Sequence, residues 1–208
     1  MTHITDVILT YLINLFQSQD KSFVYSLIFS SISALFCSLI PHLQYKYKLI
    51  SKLTTDDYGK GADLLAFILI YIGTYRNYSF IECVYNSETI SLPLHLSYLL
   101  TLVGGLLILI GWILIISSFH KLGLRGMYFG DHFGFLFRDR INSFPYNYFE
   151  NPVYIGSFCC YFGFSLSLKS VPGLILTLFI LLCNQIVFLF NEKKKLKVFY
   201  PNETKKID

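Results

Sequence analysis

Long uninterrupted apolar runs recur along this chain, and they constrain its fold more than any other feature. Residues 22–40, 62–80, 92–119, 153–168 and 171–190 each approach the roughly 20 apolar residues that cross a hydrocarbon core of about 30 Å. Lipid offers no partner to a backbone N–H or C=O, so a spanning segment must be a helix or part of a closed barrel. The runs are continuous rather than alternating, which excludes the barrel. Charge content agrees, at 14% of residues against about a quarter in soluble domains. The expected fold is an all-α integral membrane protein. It is a single domain, residues 1–208, built as a bundle of about five transmembrane helices whose last two form a C-terminal hairpin.

Punctuation between the runs refines this. Ile4, Val7, Ile8, Tyr11, Leu12 and Leu15 recur at helical spacing, which predicts a helix within 1–21 lying at the interface or packed on the bundle. Pro41 is expected to end the first span, and the stretch after it carries Lys46, Lys48 and Lys52 as a basic loop. Arg76 and Asn77 fall near the far end of the second span, where a long side chain can snorkel to the headgroups. Gly104, Gly105 and Gly111 lie within the third run, where glycine is costly unless something comes close, either another helix or a ligand. Pro172 and Gly173 mark the turn of the hairpin. Five crossings put the first loop, the 120–152 loop and the 191–208 tail on one side. Those segments hold every one of the 17 Lys and Arg residues except Lys21, Arg76 and Lys169. The positive-inside rule makes that side, and the C-terminus, cytoplasmic.

Hydropathy leaves one stretch unexplained. Residues 126–157 (GMYFGDHFGFLFRDRINSFPYNYFENPVYIGS) combine four glycines, two prolines and many Phe and Tyr rings with Asp131, Arg138, Asp139, Arg140, Glu150 and Asn151. A connector between membrane helices needs none of this, so the stretch is expected to form a site. No GxSxG elbow, Walker A loop, HExxH or paired CxxC occurs in the chain. His3, His42, His95, His120 and His132 show no metal-ligand spacing. The five cysteines fall mostly within apolar runs and read as small core residues. What remains is a reaction that needs positioning, a few carboxylates and aromatic rings close to lipid. Methyl transfer to an amine fits, because it mainly requires a nucleophile and a sulfonium methyl held in line. Positive charge moves onto nitrogen, and aromatic faces stabilise methylated ammonium ions.

The same stretch carries a resemblance. Leu122-Gly123, Gly126-x-x-x-Gly130-Asp131-x-Phe133-Gly134, Arg140-Ile141-x-x-Phe144-Pro145 and Asn151-Pro152-x-Tyr154-x-Gly156-Ser157 follow in the order seen in the phosphatidylethanolamine N-methyltransferase family. The chain resembles its short fungal and animal members over roughly 98–200, including Ser117-Ser118 and Pro172-Gly173-Leu174. The resemblance implies an enzyme of the endoplasmic-reticulum membrane, with a mitochondrial membrane as the alternative. It implies S-adenosylmethionine as methyl donor and phosphatidylethanolamine or its mono- and dimethyl derivatives as substrate, leading to phosphatidylcholine. The expected partners are therefore a bilayer phospholipid and the membrane, with no nucleic acid.

Cofactor residues follow from the same resemblance, and the remaining site residues from their chemistry. A family Gly-x-Gly maps onto Leu109-Ile110-Gly111, retaining Gly111 alone, and a family Glu-Glu-Pro maps onto Asn191-Glu192-Lys193, retaining Glu192. These are the expected cofactor residues. In the first loop His42 and Gln44 stand where relatives carry an Arg and a Glu before Tyr45. Asp131 is the expected catalytic residue, orienting or deprotonating the lipid amine. Its bland alternative is a helix cap or an ion pair with Arg125 or Arg138. Arg138 and Arg140 are expected to hold the lipid phosphate. Tyr128, Phe133, Tyr146 and Tyr154 would enclose the methylated nitrogen. Asn151-Pro152 should open the fourth span. An isoprenylcysteine carboxyl methyltransferase-like enzyme, or a relative that binds lipid without turnover, stands as the alternative.

Overall fold

A computed structural model describes residues 21–87, 89–135, 141 and 143–199, with side chains to residue 189. The elements are α1 (Lys21–Tyr47), α2 (Leu49–Leu53), α3 (Tyr58–Asn86), α4 (Leu94–Met127), a 3-10 turn (Gly130–Phe133), α5 (Pro152–Ser167) and α6 (Val171–Phe199). The segment assigned to an interfacial helix, apart from Lys21, lies outside the described residues. Among the described residues four helices are long and apolar enough to cross a membrane: α1, α3, α4 and the Val171–Leu189 part of α6. The fifth apolar helix, α5, has 16 residues and lies alongside α4.

Glycine is what lets α4 and α5 lie so close. A Cβ on Gly104 would sit 2.4 Å from the Gly163 carbonyl oxygen, and one on Gly111 would sit 2.6 Å from that of Gly156. The two glycine pairs share one spacing along both helices, so backbone meets backbone along an antiparallel seam. Between lipid-bathed helices, where no hydrophobic drive operates, such close van der Waals contact is what holds them together. By contrast, a Cβ on Gly105 would meet nothing within 4 Å.

The other helices bury a core at the end of the bundle remote from the 126–157 stretch. Phe23 of α1, Phe80, Cys83 and Val84 of α3, and Leu176 and Ile180 of α6 form it, with Tyr161 and Phe164 of α5 packed against them. Polar ties close this far end. The Ser87 and Ser170 hydroxyls lie 2.5 Å apart, Thr89 and Ser170 form an isolated antiparallel bridge, and Lys169 Nζ donates to Ser97 Oγ at 2.7 Å.

Two expected boundaries are corrected. The first span does not end at Pro41, since α1 continues through a buried Pro41 to Tyr47. Proline removes one helical hydrogen bond, whereas leaving the helix in an apolar setting would strand every following N–H and C=O. The helix ends where a polar clamp takes over. Buried Gln44 accepts through Oε1 from the backbone N–H of Ile50 (2.7 Å) and Ser51 (3.2 Å), and its Nε2 donates to Ser51 Oγ at 2.5 Å. The expected basic loop is thereby folded into the end of α1, which holds Lys46, and α2, which holds Lys52, with Lys48 between them. The second correction concerns the tail, because residues 191–199 prolong α6 rather than leave it. Lysine is a good helix former, and no proline intervenes before Pro201.

Candidate functional site

The chain leaves α4 by a series of backbone reversals, with φ positive at Gly123, Phe129 and Gly134. Gly123 takes φ 64°, breaking the helix before its last turn. That turn brings Arg125 onto the start of α3, where Nε and Nη2 donate to the two Asp63 carboxylate oxygens at 2.7 and 2.8 Å. The guanidinium also lies over the Phe135 ring, 4.6 Å from its centroid. Gly130 follows where a Cβ would come within 2.6 Å of the Arg125 carbonyl oxygen, so only glycine allows the approach.

The 3-10 turn aims its residues in two directions. Phe133 points down onto α3 and is buried with Ile50, Ala62, Leu65 and Leu69; a Cβ on Gly61 would lie 2.8 Å from its ring. Phe133 therefore anchors the loop on α3 and packs behind Tyr128 and Phe129. Asp131 turns to its neighbour, with Oδ1 3.1 Å from His132 Nδ1. The His132 side chain, 7% exposed, makes edge contacts with Tyr45 and Phe129. Tyr146 sits in the turn after the cis Phe144–Pro145 bond, its N–H donating to the Ser143 carbonyl at 2.9 Å. Pro152 opens α5 as expected.

Beneath the loop lies a cavity of about 480 Å³ enclosed by α1, α3, α4, α5 and α6. This lies within the roughly 300–1,000 Å³ of small-molecule and cofactor sites. Tyr128, Phe129 and Tyr154 border it at the loop end, and Phe80, Phe164 and Ile180 border it at the far end. Tyr154 also contacts the Phe188 ring of α6, centroids 6.5 Å apart. Leu109 and Ile110 are 58% and 48% exposed on the outer face of α4, and Gly111 is taken up by the seam. These three, with Asp131 and Tyr146, are not among the lining residues. Arg138 and Arg140 lie outside the described residues, as do the side chains of Asn191 and Glu192.

The wall of the cavity holds a residue whose role sequence reasoning missed. Arg76 does not snorkel outward but lines the interior together with Asn77, Tyr161 and Asn184. Its Nη2 lies 3.5 Å from Asn77 Oδ1, its Cζ is 5.8 Å from the Tyr161 ring centroid, and its buried Nε has no hydrogen-bond partner. The Tyr161 hydroxyl donates to the same Asn77 Oδ1 in a short hydrogen bond. No Asp or Glu is among the described lining residues. The available signal was an arginine and an asparagine within an apolar run, which is by default a functional-site indication. Taken together, aromatic faces, an orphaned guanidinium nitrogen and this volume suit a small molecule that carries both an onium centre and an anionic oxygen group.

A family model described as phospholipid methyltransferase matches residues 99–203. The chain is 30% identical to the phosphatidyl-N-methylethanolamine N-methyltransferase of Schizosaccharomyces pombe, over 89% of this chain and 94% of that protein. It is 29% identical to the phosphatidylethanolamine N-methyltransferase of Homo sapiens, over 88% of this chain and 91% of that protein. The phosphatidylethanolamine N-methyltransferase A of Dictyostelium discoideum is 30% identical over 88% of this chain and 84% of its own length. No solved structure matches the chain.

Proposed function

The chain belongs to the phospholipid methyltransferase family, and from that premise we propose that it methylates the amine of phosphatidylethanolamine, or of its mono- and dimethyl derivatives, towards phosphatidylcholine. The methyl donor in this reading is S-adenosylmethionine. The observation that carries it is the cavity, rimmed at the loop end by Tyr128, Phe129 and Tyr154 and holding Arg76 in its wall. Aromatic faces there favour a cationic centre, whether a sulfonium or a methylated ammonium, without a carboxylate that would compete for the methyl group.

Donor binding in this reading involves the rim rings and Glu192. Phe188 meets Tyr154, and Glu192 lies one helical turn further along α6, near the mouth. When bound, the donor supplies a methyl group on a positively charged sulfur. The chain's own residues then have three tasks. The rings orient the amine and exclude water from it. Arg138 and Arg140 meet the lipid phosphate at the membrane surface. Asp131, tied to His132 beside the rim ring Phe129, accepts the proton that the lipid ammonium must lose before its lone pair can attack. Within the Leu109-Ile110-Gly111 stretch, Gly111 supports the donor site indirectly, by holding α4 against α5. Five crossings, with the loop and C-terminus on the cytoplasmic face of the endoplasmic reticulum, would expose this mouth to soluble donor.

The test is an assay of the purified protein with labelled donor. Phosphatidylethanolamine, its monomethyl form, its dimethyl form and a prenylcysteine are offered separately. Label appearing in one or more of the three lipids is expected. Label in the prenylcysteine alone would replace this reading with carboxyl methylation, and label in none would leave a lipid-binding relative without turnover.

A further inference from the structure

Arg76 is a part-buried cation that lines the cavity and has no counter-ion among the described residues. Its Nε is buried and has no hydrogen-bond partner, and Asn77 Oδ1, at 3.5 Å from Nη2, is a distant neutral acceptor that also accepts from the Tyr161 hydroxyl. Buried charges are ordinarily paired, because an isolated one costs several kcal/mol in an apolar interior. The Tyr161 ring, 5.8 Å away, offsets only part of that. Neither the described lining residues nor the ion pairs among the described residues supply a carboxylate. The guanidinium is thus set up for a partner that the described residues do not provide.

The cavity admits one by two routes. At the loop end it is bordered by Tyr128, Phe129 and Tyr154. Sideways, it reaches the outside between α3 and α4, which touch in few places although α4 and α5 adjoin along their length. Thr74, Asn77 and Ile81 of α3 and Trp112 of α4 line the cavity and are also exposed on the bundle surface, Ile81 at 48% and Trp112 at 55%. A stripe of α3 residues at helical spacing thus forms one edge of a lateral slot, and Trp112 stands on the other.

We propose that Arg76 holds an anionic oxygen group of one of the two reactants inside the bundle, through the forked donors that a guanidinium offers to such oxygens. The inference rests on the methyltransfer reading for the identity of the reactants. A bilayer phospholipid can bring its phosphodiester through the slot, and the donor can bring its carboxylate through the mouth. Arg76 is then a binding residue for the reaction, and Asn77 and Tyr161 position it.

Two binding arms separate the sources, both on the full-length protein in detergent or lipid nanodiscs. Calorimetry with S-adenosylhomocysteine, and with decarboxylated S-adenosylmethionine as control, measures the donor arm. Retention of phosphatidylethanolamine by native mass spectrometry measures the lipid arm. Arg76→Gln is expected to weaken one arm by roughly 10- to 150-fold, the equivalent of a hydrogen bond to a charged group. The other arm should stay within about twofold. If the donor carboxylate is the partner, affinity for the decarboxylated control is unchanged. Arg76→Lys keeps the charge but loses the fork, and should fall between wild type and Arg76→Gln. Should Arg76→Gln fail to fold, Arg76→Lys decides alone, with at least a fivefold loss in one arm expected. Both arms within about twofold of wild type in a folded variant would overturn the proposal. A wild type that binds its ligands but methylates no lipid would overturn the functional reading instead, leaving the Arg76 comparison intact.

Discussion

Replacing Gly111 by alanine tests whether this glycine serves the helix seam or touches the donor. The added Cβ would stand 2.5 Å from Cys160 Sγ, 2.6 Å from the Gly156 carbonyl oxygen and 3.1 Å from the Cys160 nitrogen. Unstrained carbon contacts lie at about 3.5–4.0 Å, so α4 and α5 must part by roughly 1 Å, loosening Gly104 against Gly163 as well. Forcing a methyl into such a joint costs about 1–3 kcal/mol. Against this stands a gain of about 0.5–1 kcal/mol from alanine's greater helix propensity. Gly105→Ala isolates the two terms, because it brings the same gain at a position with nothing within 4 Å. The two variants should therefore differ by about 1–3 kcal/mol, the size of the clash itself. Unfolding in mixed micelles gives that difference, and calorimetry gives the donor affinity of each. Equal stability of the two variants would refute the seam argument. Equal stability with weaker donor binding in Gly111→Ala alone would make Gly111 a direct donor contact.

Three further outcomes are expected. Asp131→Asn should lower turnover while donor affinity stays nearly constant, since the carboxylate acts on the amine in the transition state; unchanged turnover would leave Asp131 as no more than the His132 partner. Glu192→Gln should weaken donor binding by roughly 10- to 150-fold if a donor hydrogen bond to a charged acceptor is lost, and wild-type affinity by calorimetry would remove Glu192 from the site. Gln44→Ala should destabilise the protein by about 2–5 kcal/mol, because it leaves the buried Ile50 and Ser51 N–H groups without their acceptor. Gln44→Glu, which keeps the acceptor oxygen, should cost less, and thermal unfolding of the two variants side by side checks the order.

Hydropathy suffices for the helices of this bundle because burial in lipid allows a long apolar run almost no other conformation. Pro41 misleads for the same reason, since the rule that proline ends a helix belongs to segments that can turn to water instead. The direction of a side chain is harder to read. Arg76 at the end of an apolar run fits an outward snorkel as well as an inward cavity, and the choice depends on which faces of α3 meet α1 and α6. Phe133 has the composition of a cage ring, yet Gly130 and Gly61 together seat it on α3. Gly111 offered more than was used. Gly156 and Gly163 repeat the spacing of Gly104 and Gly111, but pairing two helices across the intervening stretch requires knowing that they run side by side. The family motifs located the loop and its mouth without revealing the cavity beneath, because part of its wall, Arg76 included, is contributed by α1 and α3, outside the matched segment.

An apolar cluster holds each end of the bundle, but the loop end carries an ionic tie as well, and ionic strength acts on that tie alone. The far end is closed by Phe23, Phe80, Leu176 and their neighbours, whose contacts depend little on dissolved ions. At the loop end α3 and α4 are joined by the Asp63–Arg125 pair, whose side chains are 37% and 41% exposed. An exposed pair of this kind contributes about 0–1 kcal/mol and weakens as counterions accumulate around it. Electrolyte therefore weakens this one tie between α3 and α4, while the Phe133 cluster at the loop end and the core at the far end are left as they are.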